Sequence, residues 1–172
     1  MKRVVLVFLL LLLLGCAEEK AEVTQSTMES KTYAIVETSK GNFTILLYED
    51  TPVTTENFVT LAQSGFYDGL TFHRYEPGFV IQGGDPNGDG TGGSAEKIPL
   101  EIAQGRSHTR GTIGMARSQD PDSASSQFFV NLGDNYFLDG GYAVFGDVVE
   151  GVDVADSLRA GDVMTKVSIV QK

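Results

Sequence analysis

With 172 residues, the chain is long enough for one domain with a sizeable core. Its 23 acidic against 13 basic residues leave a formal charge of −10 at pH 7 and no basic cluster, which argues against nucleic acid and against charge-driven binding to anionic lipid heads. A single cysteine excludes an intramolecular disulfide and any Cys-x-x-Cys pair.

In chain order, Lys2 and Arg3 precede an unbroken apolar run from Val4 to Leu14. That run of about 11 residues falls short of the roughly 20 that a spanning helix needs, so a cleaved secretory signal over residues 1–15 is expected. Leu13-Leu14-Gly15-Cys16 resembles the lipobox of bacterial lipoproteins, which implies cleavage before Cys16 and a lipid thioether on its sulfur. Several acyl chains, as that family carries, anchor stably where one alone is marginal. Residues 16–30 then read as the lipidated cysteine and a disordered tether rich in Glu, Lys, Ser and Thr, reaching on the order of 20 Å. The expected location is the cell envelope, exported and lipid-anchored, facing the periplasm or the cell exterior. Loss of the signal removes Lys2 and Arg3 and takes the formal charge from −10 to −12.

Residues 31–172 are short apolar segments broken by Gly, Asn and Asp, and read as one mostly β domain. Tyr33 to Thr38 and Phe43 to Tyr48 flank Lys40-Gly41-Asn42, a hairpin signal with a glycine available for positive φ. Thr51-Pro52 offers an N-cap and a proline at the first helical position, after which Phe58, Leu61 and Ala62 share a face until Gly65. Strand-like segments follow at Leu70 to Tyr75, Phe79 to Gln82, Thr112 to Ala116, Gln127 to Asn131 and Ala143 to Val149. Val152, Ala155 and Leu158 recur at helical spacing, and Val163 to Val170 closes the chain as a last strand. Many short strands with two helices predict a closed barrel whose ends the helices cover. In the run Phe72 to Asp85, strand alternation places Phe72 with Arg74, Val80 with Gln82, and Phe79 with Ile81.

That same run, Phe72-His73-Arg74 followed by Pro77-Gly78-Phe79 and Gln82-Gly83-Gly84, closely resembles the cyclophilin signature. The resemblance continues through Gly90-Thr91-Gly92-Gly93, Arg110 to Ala116, Ser125 to Asn131, Phe137-Leu138-Asp139-Gly140 and Val144-Phe145-Gly146, in order and without long insertions. It implies an eight-stranded antiparallel cyclophilin-like barrel capped by two α-helices, with the site on its outer surface. By position it implies Arg74 as the catalytic arginine and Gln82 as the glutamine holding it. Phe79, Phe129 and Leu138 become the walls of a proline pocket, with Val80, Ala116, Arg117, Gln127, Phe137 and Tyr142 completing substrate binding. The implied activity is peptidyl-prolyl cis-trans isomerisation of unfolded or exported proteins. A binding module of the same fold, a chaperone or adaptor that holds proline-containing segments with little turnover, is the alternative.

The chemistry suits those residue types. Peptide-bond rotation faces about 18 to 20 kcal/mol because the nitrogen lone pair is delocalised, so uncatalysed Xaa-Pro isomerisation takes tens to hundreds of seconds. At the twisted transition state the lone pair returns to nitrogen, and a guanidinium aimed there binds that state selectively. No bond is made or broken, so no nucleophile, metal or cofactor is required.

Three positions depart from the family pattern: Val80 for a frequent methionine, Tyr142 for a frequent histidine, and Phe137 for the tryptophan whose indole N–H serves cyclosporin. Phe137 has no such donor, so weak cyclosporin binding is expected. Asp85-Pro86-Asn87-Gly88-Asp89-Gly90 followed by Glu96 matches the letters of a calcium-binding EF-hand loop, but its strand-like flank does not suit one, and no metal site is expected. His73 and His108 are expected to be structural. Ser123, Ser125 and Ser126 lack a nucleophile elbow and read as loop and strand residues.

Overall fold

The computed structural model describes residues 30–172; the signal, Cys16 and nearly all of the tether lie outside them. The strands are β1 (Thr32–Thr38), β2 (Gly41–Leu47), β3 (Arg74–Glu76), β4 (Val80–Gly83), β5 (Thr112–Met115), β6 (Phe128–Asn131), β7 (Val144–Glu150) and β8 (Met164–Gln171), with helices α1 (Pro52–Gln63) and α2 (Val152–Ser157). All pairings are antiparallel, in the order β3-β4-β6-β5-β7-β2-β1-β8. The eight strands and two helices follow the sequence reading, but the barrel is a half-barrel: its edge strands β3 and β8 share no ladder. Just before them, the chain bridges Thr71 to Val163, and Phe72 N–H donates to the Asp162 carbonyl at 2.8 Å.

That cross-connection explains why Phe72 and Arg74 do not share a face. Residues 72 and 73 carry no regular strand geometry, and Phe72 turns fully into the core while Arg74 stands exposed outside. Phe79, in the turn before β4, likewise parts from Ile81, which is buried in the core.

Inward residues of every long strand meet in one apolar core. β1 supplies Ala34 and Val36, and β2 supplies Phe43, Ile45 and Leu47. Phe58 of α1 sits at the centre, its ring 5.1 Å from Tyr67 and 5.4 Å from both Phe128 and Phe145. Burying such rings contributes about 1.5–3 kcal/mol each, which fixes α1 against the sheet.

Thr51 occupies the N-cap position of α1, but its hydroxyl caps nothing; the free N–H groups of Val53 and Thr54 donate instead to the Glu101 carboxylate at 3.2 and 2.9 Å. A carboxylate at the positive end of the helix dipole does that work from a distant loop. The first hairpin turns on Ser39 and Lys40, and Gly41 opens β2 at φ +128°, conformational space that glycine enters freely.

Candidate active site

The outer face of β3, β4, β6 and β5 is organised by register. Arg74 lies opposite Gln82, Gln82 opposite Phe129, and Phe129 opposite Gly114. Directly opposed residues on neighbouring strands project to the same side, so a cation, an amide and an aromatic ring stand in one row. Gly114, the last member, is bare because the Phe129 ring lies over it: a Cβ there would overlap three ring carbons.

Around this row a pocket of about 160 Å³ is lined by Arg74, Phe79, Val80, Gln82, Ala116, Arg117, Phe129, Leu138 and Tyr142. Pockets for drug-sized ligands run to about 300–1,000 Å³, so this one suits a single ring with apolar walls. Nine of the residues inferred from the family pattern converge here. Gln127 lines a neighbouring groove of about 360 Å³ that shares Gln82, Ala116 and Arg117. Phe137 stands at the rim, 75% exposed, its ring stacked on Phe79 at 5.6 Å.

Arg74 is held without being buried. Its Nη1 donates to Gln82 Oε1 at 3.3 Å, its Nε lies 3.7 Å from Glu76, and Cζ sits 5.5 Å from the Phe79 ring centre. Arg117 is pinned more firmly: Nε donates to the Gly141 carbonyl, Nη1 to those of Ser118 and Gln119, and the guanidinium covers the Tyr142 ring at 4.8 Å.

Behind Phe129 lies a support whose place the sequence did not reveal. His108, fully buried, stacks on the Phe129 ring at 5.6 Å, while Tyr142 meets that ring edge-on at 6.0 Å. One tautomer satisfies both imidazole nitrogens: Nε2–H donates to the Tyr142 carbonyl and Nδ1 accepts from Asn131 Nδ2, each at 3.2 Å. Burial lowers the His108 pKa, against the upward pull of the Tyr142 carbonyl and of Asp139. The unfolded chain takes up a proton near the ordinary value of about 6.5, where folded His108 does not, so acid favours unfolding. This contribution is full above about pH 6.5 and is lost as the pH falls towards the lowered folded value. Urea midpoints measured from neutral pH down to about pH 5 should therefore fall less in His108→Gln than in the wild type; equal slopes would contradict the buried neutral ring.

The calcium-like stretch closes on itself. Asp85 is 1% exposed, and its oxygens accept from the backbone N–H groups of Asn87 at 2.9 Å, Asp89 at 3.1 Å and Gly90. Burial pushes its pKa up, but these three bonds outweigh it and hold the carboxyl below its ordinary value. Among the described residues no three His, Cys, Asp or Glu side chains converge as a metal site. Ser126 Oγ–H donates to the Gly84 carbonyl and Ser123 Oγ–H to that of Asp120, both structural bonds.

Residues 33–172 match the family model described as cyclophilin type peptidyl-prolyl cis-trans isomerase/CLD. A peptidyl-prolyl cis-trans isomerase of Helicobacter pylori is 43% identical over 150 residues, covering 85% of this chain and 91% of the relative. One from Synechococcus elongatus is 46% identical over 142 residues, covering 81% and 97%. Among solved structures, a cyclophilin type peptidyl-prolyl cis-trans isomerase of Cryptosporidium parvum, crystallised in the presence of the dipeptide Ala-Pro, is similar with TM-score 0.75 at 27% identity, covering 81% of this chain and 99% of its own.

Proposed function

The chain belongs to the cyclophilin-type peptidyl-prolyl cis-trans isomerase family, and from that premise we propose that it turns Xaa-Pro bonds of unfolded or exported proteins at the Arg74 pocket. The observation that carries the site is the cross-strand row Arg74, Gln82, Phe129, which sets a guanidinium in the lining of a ring-sized pocket whose apolar walls are Phe79, Val80, Phe129 and Leu138. Phe79, Phe129 and Leu138 hold the pyrrolidine by burial, so the preceding segment turns against a fixed proline. Arg74, one N–H engaged by Gln82, keeps others free for the imide nitrogen as its lone pair localises. That bond exists only in the twisted state, so it lowers the barrier rather than merely tightening binding. Each tenfold in rate corresponds to about 1.36 kcal/mol, so one charge-assisted hydrogen bond with partial desolvation supplies several decades. Adding the protein to a Xaa-Pro peptide in a protease-coupled assay should speed cis-to-trans conversion in proportion to its concentration; an unchanged rate would refute the reading.

The isomerase domain is held at the cell envelope by a lipid on Cys16, facing the periplasm or the cell exterior. The Leu13-Leu14-Gly15-Cys16 pattern and the tether composition support this. The tether joins the fold at β1, which is not among the strands β3, β4 and β6 that carry Arg74, Gln82 and Phe129. Full-length protein should partition into detergent and label with palmitate, and Cys16→Ser should do neither; wild-type protein without label would contradict the anchor. Cyclosporin binds weakly, because Phe137 offers a ring and no N–H at the exposed rim. Activity should survive nanomolar cyclosporin, and inhibition at that level would overturn the point.

A further inference from the structure

We propose that Asp85 is a positioning residue for Arg74, acting through a one-way chain of hydrogen bonds; the proposal rests on the reading of Arg74 as the catalytic group. Arg74 donates to Gln82 Oε1 at 3.3 Å, Gln82 Nε2 donates to Gln127 Oε1 at 2.8 Å, and Gln127 Nε2 donates to the carbonyls of Gly92 at 2.7 Å and Gly90 at 3.1 Å. The polarity of this chain is fixed at both ends. A guanidinium can only donate and a backbone carbonyl can only accept, so neither glutamine can flip its amide without breaking a bond at each side. The direction in which Gln82 presents its oxygen to Arg74 is therefore set by two carbonyls on the 85–93 loop.

Asp85 holds those carbonyls. Its buried carboxylate accepts from the N–H groups of Asn87, Asp89 and Gly90, so Gly90 is gripped at its N–H by Asp85 while its oxygen accepts from Gln127. Gly92 lies so close that a Cβ there would overlap Asp85 Oδ1. On the outer half of the loop, Asp89 accepts from both the N–H and the hydroxyl of Thr91 at 2.9 and 2.6 Å. In the stretch that mimics a calcium loop in its letters, Asp85 and Asp89 are thus spent on the loop's own N–H groups and the Thr91 hydroxyl, and its output is the aim of Arg74.

Asp85→Asn keeps the volume but turns an N–H₂ towards backbone donors, loosening the loop. Since small misplacements of a catalytic group cost one to two decades, kcat should fall about tenfold while KM stays within about twofold. Placed in an Arg74→Lys background, whose ammonium lacks the planar fork that reads Gln82, the same change should cost less than about twofold. An equal loss in both backgrounds, or an unchanged kcat, would overturn the proposal. If Asp85→Asn does not fold, Asp89→Ala at the exposed outer half decides: a kcat loss of about threefold that vanishes beside Arg74→Lys supports the relay, and an unchanged kcat overturns it. Full activity in Arg74→Lys alone would instead remove Arg74 from its role, and the proposal with it.

Discussion

Arg74→Ala should fold like the wild type, bind proline peptides within a few-fold of it, and lose about 100- to 1,000-fold in isomerase turnover, the range seen when one preorganised transition-state donor is removed. The asymmetry follows from where the side chain stands. It is substantially exposed, its pairing with Glu76 at 3.7 Å is a surface ion pair, and its stack on Phe79 is loose at 5.5 Å. Removing such a group changes stability by about 0.5 kcal/mol or less. The proline walls Phe79, Phe129 and Leu138 remain, so ground-state binding is retained while the bond to the localised nitrogen lone pair is lost. Thermal unfolding and a protease-coupled assay on the same preparation check both halves. Near-normal turnover would remove Arg74 from the chemistry.

Gly114→Ala should be far more damaging than the addition of one methyl group to a strand suggests. The residue is the glycine at the end of the cross-strand row, and its φ is not in the positive range, so the effect is purely steric. A Cβ would overlap the Phe129 ring, which cannot retreat because His108 stacks behind it and Tyr142 meets it edge-on. Overpacking of this kind costs about 1–3 kcal/mol. The displaced ring narrows the pocket, and turnover should drop by about tenfold or more. Adding Phe129→Leu, which makes room while keeping an apolar wall, should return much of the stability, as read from urea midpoints. Wild-type activity in Gly114→Ala would show that the pocket does not depend on that close approach.

The strands were legible because alternation in β1 and β2, and glycine-marked turns throughout, are local signals. So was α1, from Pro52 and the Phe58, Leu61, Ala62 face. What local signals do not carry is register. Arg74, Gln82, Phe129 and Gly114 form one row only because β4 pairs with β3 on one side and β6 on the other, and no pattern within a segment encodes that choice. The resemblance to cyclophilins supplied the site residues, not the reason they meet. Alternation misled at Phe72, where the backbone leaves strand geometry to bond with residue 162. Proximity in sequence points to Thr51 as the cap of α1, whereas Glu101 arrives through the fold. His108 is buried, as a structural histidine is expected to be, and only the packing of Phe129 makes it a brace for the pocket wall.

Turnover and holding can be separated in a single experiment. Two-dimensional exchange spectroscopy on a proline peptide, recorded with a small amount of protein alongside a binding titration, reports cis-trans interconversion and affinity in one sample. The expected result is exchange cross-peaks between cis and trans resonances on a timescale far shorter than the uncatalysed tens to hundreds of seconds, abolished by Arg74→Ala while the titration persists. Saturable binding with no exchange in the wild type would contradict it, and would make the chain a holder of proline segments rather than an isomerase.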